Sequence, residues 1–227
     1  MVYLRQIAEL MEEGTQSLMI DLGCGNGDYT RIYAKACGAR EALGVDIDDR
    51  SLKQANEKGI QTLKHDLNRP LPFSDNSVSA VVSTQIIEHL NDCDLFASEI
   101  FRIMRPRGFA VLATENLACW SNVGSLALGY QPHSENISKI RRIGNPFSGN
   151  YGQKPDFSNL HVHVFTYRSF LEFLRLHGFV VESVRCAGYP PIPQRFSGLI
   201  SRLDPVHTRY ITAKVRKPSA SSLKAEP

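Results

Sequence analysis

Short apolar runs typical of buried β-strands alternate with helical patterns between residues 17 and 114. The predicted strands lie at residues 17–22, 41–46, 60–65, 78–84 and 109–114. The helical patterns lie at residues 29–36, 50–58 and 94–104. Strands that are joined through helices cross over the sheet with a right hand and become parallel. The alternation therefore predicts an α/β fold, with a parallel sheet and helices on both of its faces.

Further elements are predicted outside this alternation. They are helices at residues 2–13 and 166–176, strands at 179–186 and 207–215, and a proline-rich connection at 188–205. Residues 115–160 are rich in glycine, proline, asparagine and serine, with one short helical pattern at 121–128, which is typical of a lid or of disorder. We expect residues 1–216 to form one domain, residues 115–160 to cover the substrate, and residues 217–227 to be a mobile tail.

Composition excludes several classes of protein. The chain has 227 residues, 42% of them hydrophobic, as in an ordinary globular domain. The formal net charge of +3, from 26 basic and 23 acidic residues, is too small to indicate a nucleic-acid or membrane-surface partner. No apolar run approaches the ~18–20 residues that cross a bilayer, so we expect a cytoplasmic protein without a membrane partner. The five cysteines form no CxxC pair and are predicted to be reduced.

A glycine-rich loop, Asp21-Leu22-Gly23-Cys24-Gly25-Asn26-Gly27, joins the first predicted strand to the next helix. Three glycines in five positions permit backbone angles, and a close approach of a ligand, that side chains would prevent. Asp28 stands where the dinucleotide fingerprint GxGxxG has its third glycine. This departure disfavours a nicotinamide-dependent dehydrogenase.

Two aspartates follow neighbouring strands at the same edge of the predicted sheet, where ligands of such sheets bind. Asp46 ends the second strand about 20 residues after the loop, where a carboxylate can accept hydrogen bonds from a ribose diol. Asp66 ends the third strand. The structural alternative is that the glycines form only a tight turn and that both aspartates cap the following helices.

Four segments resemble the successive motifs of class I S-adenosylmethionine-dependent methyltransferases over roughly residues 17–114. They are LMIDLGCGNGDYT, GVDID, HDLNRPLPFSDNSVSAVVSTQIIEHL and FRIMRPRGFAVLATEN. The resemblance implies a Rossmann-like, doubly wound and mostly parallel sheet of seven strands, with an antiparallel last strand. It also implies S-adenosylmethionine as the cofactor, and transfer of its methyl group to an oxygen, nitrogen or carbon atom of an acceptor, with release of S-adenosylhomocysteine.

The resemblance assigns the methionine part of the cofactor to the glycine-rich loop. The residues to which it gives this role are Asp21, Gly23, Cys24 and Gly25. Gln85, just after the fourth strand, would lie near the methionine part and the reacting atoms.

The adenosine part is assigned to the ends of the next two strands. By the same resemblance, Asp46 would hold the ribose hydroxyls and Ile47 would pack on one face of the adenine. Asp66, with the backbone of Leu67, would meet the adenine edge.

A hydroxyl acceptor has to lose a proton, and a histidine with a pKa near ~6.5 is the natural group to take it at neutral pH. His89 follows the fourth strand, while His161 and His163 precede the late helix. In the resembling family both segments border the substrate chamber. We predict that His89 or His163 is the base; the alternative is a histidine that caps a helix or packs beside the cleft.

The segment QIIEHL also resembles an ExxEH sequence through which some relatives bind a divalent metal. Gln85 stands in place of the first glutamate, and a neutral amide is a poorer ligand for a hard cation than a carboxylate. A site of Glu88, His89 and a distal histidine would therefore be short of charge. We predict no metal.

The acceptor is expected to be a small molecule. Residues 115–160 carry aromatic side chains that could shield it, and Lys139, Arg141 and Arg142 could meet a phosphate or carboxylate. With only about 17 residues before the first strand, we expect no separate N-terminal domain that recognises RNA or protein, and a nucleic-acid partner is disfavoured. The open alternatives are an RNA or protein methyltransferase that uses this basic cluster, and a non-catalytic scaffold. A homo-oligomer is compatible with each of them.

Overall fold

The structure is a computed structural model that describes residues 2–14, 18–155, 160–190, 192 and 194–219. Its strands are β1 (Leu18–Leu22), β2 (Glu41–Asp46), β3 (Gln61–Lys64), β4 (Val78–Thr84), β5 (Met104–Glu115), β6 (Val180–Ala187) and β7 (Tyr210–Arg216). Its α-helices are α1 (Val2–Leu10), α2 (Asp28–Cys37), α3 (Asp49–Glu57), α4 (Cys93–Ile103), α5 (Trp120–Ala127), α6 (Tyr167–Leu176) and α7 (Gln194–Leu203). None of the helices in this part of the chain has the length and apolar character needed to cross a membrane.

The strands form one sheet in the order β3-β2-β1-β4-β5-β7-β6. The pairs from β3 to β5 are parallel, and β7 runs antiparallel between β5 and β6. The predicted fold, including its antiparallel last strand, is confirmed. The chain reverses direction across the sheet between β1 and β4, which is the position where α/β sheets bind ligands.

Both faces of the sheet are covered because successive strand residues point to opposite sides. On β1, Met19 belongs to one buried cluster and Ile20 to another. Helices α1 and α2 supply Ile7 and Tyr33 to the first cluster, while α4 and α6 supply residues such as Ile100 to the second. Two cores therefore hold the sheet rigid between two layers of helices.

Three segments differ from the sequence-based expectations. Helix α7 lies within the predicted proline-rich connection, because the prolines flank the helix and leave its interior free to form hydrogen bonds. Strand β5 begins at Met104 instead of residue 109, with a register shift against β4 where Pro106 and Gly108 were expected to break the chain. Lys217, the first residue of the predicted tail, donates to the carbonyl oxygens of Phe101 and Met104; residues 220–227 lie outside the described residues.

A charged pair on α4 fixes the loop that follows β3. Glu99, which is 8% exposed, accepts a hydrogen bond from the backbone N–H of Leu71 at 2.6 Å. Arg102 donates to both carboxylate oxygens of Glu99 and to the carbonyl oxygens of Leu71 and Phe73. The loop that carries Asp66 is therefore anchored to a helix of the core.

Replacing Arg102→Met should lower the free energy of unfolding by about 1–3 kcal/mol, because the buried Glu99 carboxylate loses the two hydrogen bonds that Arg102 donates and keeps only that from Leu71. Urea unfolding followed by circular dichroism measures the change. Arg31→Met, on the exposed side of α2, is the control and should alter stability by about 0.5 kcal/mol or less. Equal stability of the two variants would contradict the anchoring role.

Candidate active site

The glycine-rich loop starts where β1 ends and is bound to the neighbouring strand. The backbone N–H groups of Gly23 and Cys24 donate to the carbonyl oxygen of Val45 on β2, at 2.8 and 3.1 Å. Gly27, at the other end of the loop, is the N-cap of α2 with a φ of 77°, a conformation that favours glycine. The loop is therefore fixed at both ends, at the position where the sheet reverses direction.

One side of the loop is closed and the other is open. A Cβ atom on Gly23 would overlap the side chain of Ile86, which follows β4. A Cβ atom on Gly25 would meet no atom of the described residues within 4 Å, although the φ of 52° there disfavours a side chain. A ligand can therefore approach the backbone of the loop over Gly25.

Asp46 joins the open side of the loop to the end of β2. Its Oδ2 accepts a hydrogen bond from the Gly25 N–H at 2.8 Å, and its Oδ1 accepts from the N–H groups of Ile47 and Asp48 at 2.8 and 3.0 Å. These bonds use three of the roughly four acceptor positions of a carboxylate. Ile47 is 60% exposed beside it. The pair offers an acceptor for a sugar hydroxyl next to an apolar platform for a flat ring.

Neither Asp46 nor Asp66 caps a helix, whereas the structural alternative in the sequence analysis expected both to do so. The N-cap of α3 is Asp48, whose side chain accepts from the N–H of Ser51. Asp66 accepts from the backbone and side-chain N–H groups of Asn68, both at 3.0 Å, and these bonds hold the pKa of Asp66 below its usual range. Asp66 thus stays ionised in a closed turn, followed by the buried Leu67.

Two of the predicted cofactor contacts have side chains that point into the protein. Asp21 is 3% exposed and accepts from the Thr30 hydroxyl at 2.6 Å, and burial raises its pKa to about 6. The Cys24 side chain packs on Gly44, and burial raises the pKa of the thiol to about 12. Asp21 ties α2 to the start of the loop, and Cys24 offers only its backbone to a ligand.

Nε2 of Gln85, a buried atom close to the loop, lacks a hydrogen-bond partner among the described residues. The backbone N–H of Gln85 donates to the carbonyl oxygen of Ala113 at 2.8 Å, so the position of Gln85 beside β5 is fixed. An unmatched buried polar atom costs about 1–3 kcal/mol unless water or a ligand satisfies it. A polar ligand would recover part of this cost, so the buried amide of Gln85 fits the amino-acid part of S-adenosylmethionine.

A second group of titratable side chains follows β4. Glu88 is fully buried, and its Oε2 accepts from the Thr114 hydroxyl at 3.0 Å, while its Oε1 has no partner within the described part of the chain. Burial raises the pKa of Glu88 to about 7. The N–H groups of Val162 and His163 donate to the Glu88 carbonyl oxygen at 2.7 and 3.2 Å. These bonds bring the end of the predicted lid against the turn after β4.

His89 and His161 lie side by side, with ring centroids 4.8 Å apart. Nδ1 of His89 is 3.1 Å from the carbonyl oxygen of Leu160, and Nδ1 of His161 is 2.5 Å from that of Ser134. A carbonyl oxygen only accepts, so each ring carries its proton on Nδ1. Nε2 of each ring is therefore the nitrogen that can accept a proton or bind a cation.

His163, one of the two predicted bases, lies elsewhere. Its ring is exposed, and its Nε2 is 3.4 Å from the carbonyl oxygen of Asn91. His161 is the histidine that pairs with His89. The sequence does not separate the two candidates, since both precede α6 and the choice depends on the path of the chain through residues 115–160.

The same cluster has the composition of a metal site. Glu88, His89 and His161 each offer one ligand atom, and these atoms lie within 4.8 Å of one another. Gln85, which is neutral, adds no charge to them. The absence of a metal from the reaction stays a prediction.

Comparisons with known proteins agree with this geometry. Residues 20–112 match the family model described as a methyltransferase domain. A protein of Mycolicibacterium smegmatis named as an S-adenosylmethionine-dependent methyltransferase is 34% identical over 104 residues, which are 45% of this chain and 40% of that protein. Tocopherol O-methyltransferase of Arabidopsis thaliana is 29% identical over 133 residues, 56% of this chain and 37% of that protein. The chain thus spans less than half the length of these relatives.

The same fold occurs in a solved structure. An S-adenosylmethionine-dependent methyltransferase from Mesorhizobium loti superimposes with a TM-score of 0.61 over 93% of this chain and 96% of that chain, at 16% identity. Over residues 20–112 the chain is therefore similar to the methyltransferase domain family, and its fold is that of an S-adenosylmethionine-dependent methyltransferase. S-adenosylmethionine is the cofactor of these methyltransferases, and the resemblance found in the sequence is confirmed.

The stability of the protein should depend on pH through Glu88. Burial raises the folded-state pKa from 4.5 to about 7, so the stabilisation is complete below pH 4.5 and is lost as the pH rises through 7. Between pH 5 and pH 8 the parent should lose roughly 1–3 kcal/mol through this group. Glu88→Gln, which stays neutral, should lose less, as measured by urea unfolding at both pH values.

Asp21 titrates in a similar range and is unchanged in this variant, so a remaining pH dependence is expected. Glu57→Gln, exposed on α3, serves as the control and should follow the parent. If Glu88→Gln loses as much stability as the parent between the two pH values, Glu88 does not titrate as described.

The His89 ring should titrate below its ordinary pKa of 6.5, because burial and the neighbouring His161 both disfavour its charged form. Imidazole C–H chemical shifts followed by NMR through a pH titration would show this midpoint. His161→Asn should raise the pKa of His89 by removing a like charge. A midpoint at or above 6.5 in the parent would refute the assignment.

Proposed function

We propose that this chain transfers the methyl group of S-adenosylmethionine to a small-molecule acceptor and releases S-adenosylhomocysteine. The observation that carries the proposal is the open side of the loop at Gly25, which the Asp46 carboxylate and the exposed Ile47 adjoin. Relatives such as tocopherol O-methyltransferase, whose name gives a small-molecule acceptor, support this choice.

The proposed cofactor contacts divide into two groups. Gly23, Gly25 and the backbone of Cys24 would hold the methionine part, with Gln85 supplying its unmatched Nε2 donor and Asp21 acting through α2. At the adenosine end, the roles implied by the resemblance are kept. They are Asp46 for the ribose hydroxyls, Ile47 for the adenine face, and Asp66 with the backbone of Leu67 for the adenine edge.

When bound, the cofactor supplies a methyl group activated by a sulfonium, which an acceptor atom attacks in line. The task of the protein is to align the acceptor and exclude water. His89 is uncharged at neutral pH because burial lowers its pKa, and its Nε2 is then able to take a proton from an acceptor hydroxyl. Leu160 and Ser134 hold the rings of His89 and His161 in the required tautomer.

His163, which the sequence also suggested as a base, remains a second candidate. Its exposed ring would reach the reacting atoms only after a movement of the lid residues. A methylation assay on His89→Gln, His161→Gln and His163→Gln separates the candidates. We expect the first two to slow the reaction by about 10²-fold or more and the third to leave it unchanged.

Calorimetric titration with S-adenosylhomocysteine, with NAD as the control ligand, tests the cofactor site. Gly25→Ala should weaken S-adenosylhomocysteine binding at least about tenfold, or ~1.4 kcal/mol, because the methyl group enters the open side of the loop. Gly59→Ala is the matched control, since Gly59 also has a positive φ and open space around it, yet lies between α3 and β3. It should bind as the parent does.

The results separate the alternatives. Equal affinities of Gly25→Ala and Gly59→Ala would show that the loop does not contact the ligand. Binding of neither S-adenosylhomocysteine nor NAD by the parent would favour the scaffold alternative.

A further inference from the structure

A cavity of about 380 Å³ lies beside the paired histidines. It is formed by the end of β5, the start of α5, the irregular segment that follows α5, and the residue before β7. Glu115 and Ser134 line it, and both also contact His161: the Ser134 carbonyl oxygen at 2.5 Å and Glu115 Oε2 at 3.9 Å from Nδ1. The cavity therefore lies next to His161, the histidine that pairs with His89.

Basic side chains predominate in the described lining of the cavity. Arg142 and Arg209 line it, and Glu115 is the sole acidic residue among its described lining residues. Glu115 lies 3.4 Å from an Arg209 guanidinium nitrogen. Burial, and then the charges of Arg209 and Arg142, lower the pKa of His133 in the same wall. The potential in the cavity thus favours an anion.

The start of α5 adds a second source of positive potential. The cavity includes Cys119 and Ser121, the N-cap and the second residue of this helix. Within the described residues, no side chain caps the N-terminus, so its N–H groups and the positive end of the helix dipole face the cavity region. Hydroxyl groups of Ser121 and Ser148 also line the wall and can donate to oxygen atoms.

The basic cluster found in the sequence is divided by the fold. Arg142 is half-buried and lines the cavity, whereas Lys139 and Arg141 are exposed and lie outside its lining. The backbone of Arg142 is fixed by two hydrogen bonds, both at 2.9 Å. The Arg142 N–H donates to the carbonyl oxygen of Gln153, and the Gly152 N–H donates to the carbonyl oxygen of Arg142. Arg209 is fixed in the same way, because its N–H donates to Gly188 at 2.7 Å. Both guanidinium groups therefore start from rigid backbone.

We propose that Arg142 and Arg209 bind an anionic group of the acceptor, a carboxylate or a phosphate, and thereby hold the acceptor beside His161, which pairs with His89. Guanidinium groups suit both anions because their paired N–H donors match two oxygen atoms. This inference rests on the proposed function and narrows the acceptor to anionic small molecules.

The test is calorimetric titration of the full chain with inorganic pyrophosphate and, separately, with malonate. The salt is kept at about 50 mM NaCl, because a low ionic strength screens the charges less. Each titration is run with and without S-adenosylhomocysteine. We expect binding of at least one anion, weakened about tenfold or more in Arg142→Gln and in Arg209→Gln. Arg141→Gln, next in the chain and outside the cavity, is the matched control and should bind as the parent does.

The choice of anion identifies the acceptor group. Binding of pyrophosphate alone supports a phosphate-bearing acceptor, and binding of malonate alone supports a carboxylate. Thermal unfolding verifies that each variant is folded. If Arg209→Gln is not folded, the comparison of anion affinity between Arg142→Gln and Arg141→Gln decides.

Two results would overturn the inference: equal anion affinity in the parent and all three variants, or no anion binding by a parent that binds S-adenosylhomocysteine. The second result leaves the proposed function standing. Failure of S-adenosylhomocysteine to bind, with anion binding intact, would instead overturn the proposed function and leave an anion site.

Discussion

The hydrogen bond between the Asp46 carboxylate and the Gly25 N–H determines the shape of the proposed cofactor site. It joins the end of β2 to the middle of a loop that β1 and α2 hold at its two ends. Because the same carboxylate accepts from Ile47 and Asp48, it also sets the direction in which Ile47 is exposed. The open face of the loop, the acceptor for a hydroxyl and the apolar platform thus depend on one side chain.

The proposed site combines buried carboxyl groups with buried polar atoms that have no hydrogen-bond partner in the described part of the chain. Asp21 and Glu88 both have raised pKa values because burial disfavours their charged forms. Such groups oppose folding at neutral pH, and a packed apolar core has to offset them. The two clusters on either side of the sheet supply that stabilisation. Polar groups of this kind are retained where a ligand uses them.

Local patterns explain what the sequence could predict. The glycine spacing, the apolar strand runs and the start of the helix at Thr166 are each encoded by residues only a few positions apart, and the structure contains each of them. Helix α7 was missed although Phe196, Leu199, Ile200 and Leu203 have helical spacing, because the surrounding prolines outweighed that signal. The pairing of His161 with His89 depends on hydrogen bonds between residues more than 70 positions apart, which no local pattern encodes.

The antiparallel strand β7 lies between β5 and β6, although it is last in the chain. The proposed cofactor part of the site is built from β1, β2 and β4, which pair with one another at shorter sequence separations. The wall of the cavity beside His161 includes the contact between Arg209 and Glu115, which are 94 positions apart in the sequence. Contacts of such separation form late, since the entropy of closing the intervening chain has to be overcome first. A ribosome-bound chain would thus complete the proposed nucleoside site well before the proposed acceptor site.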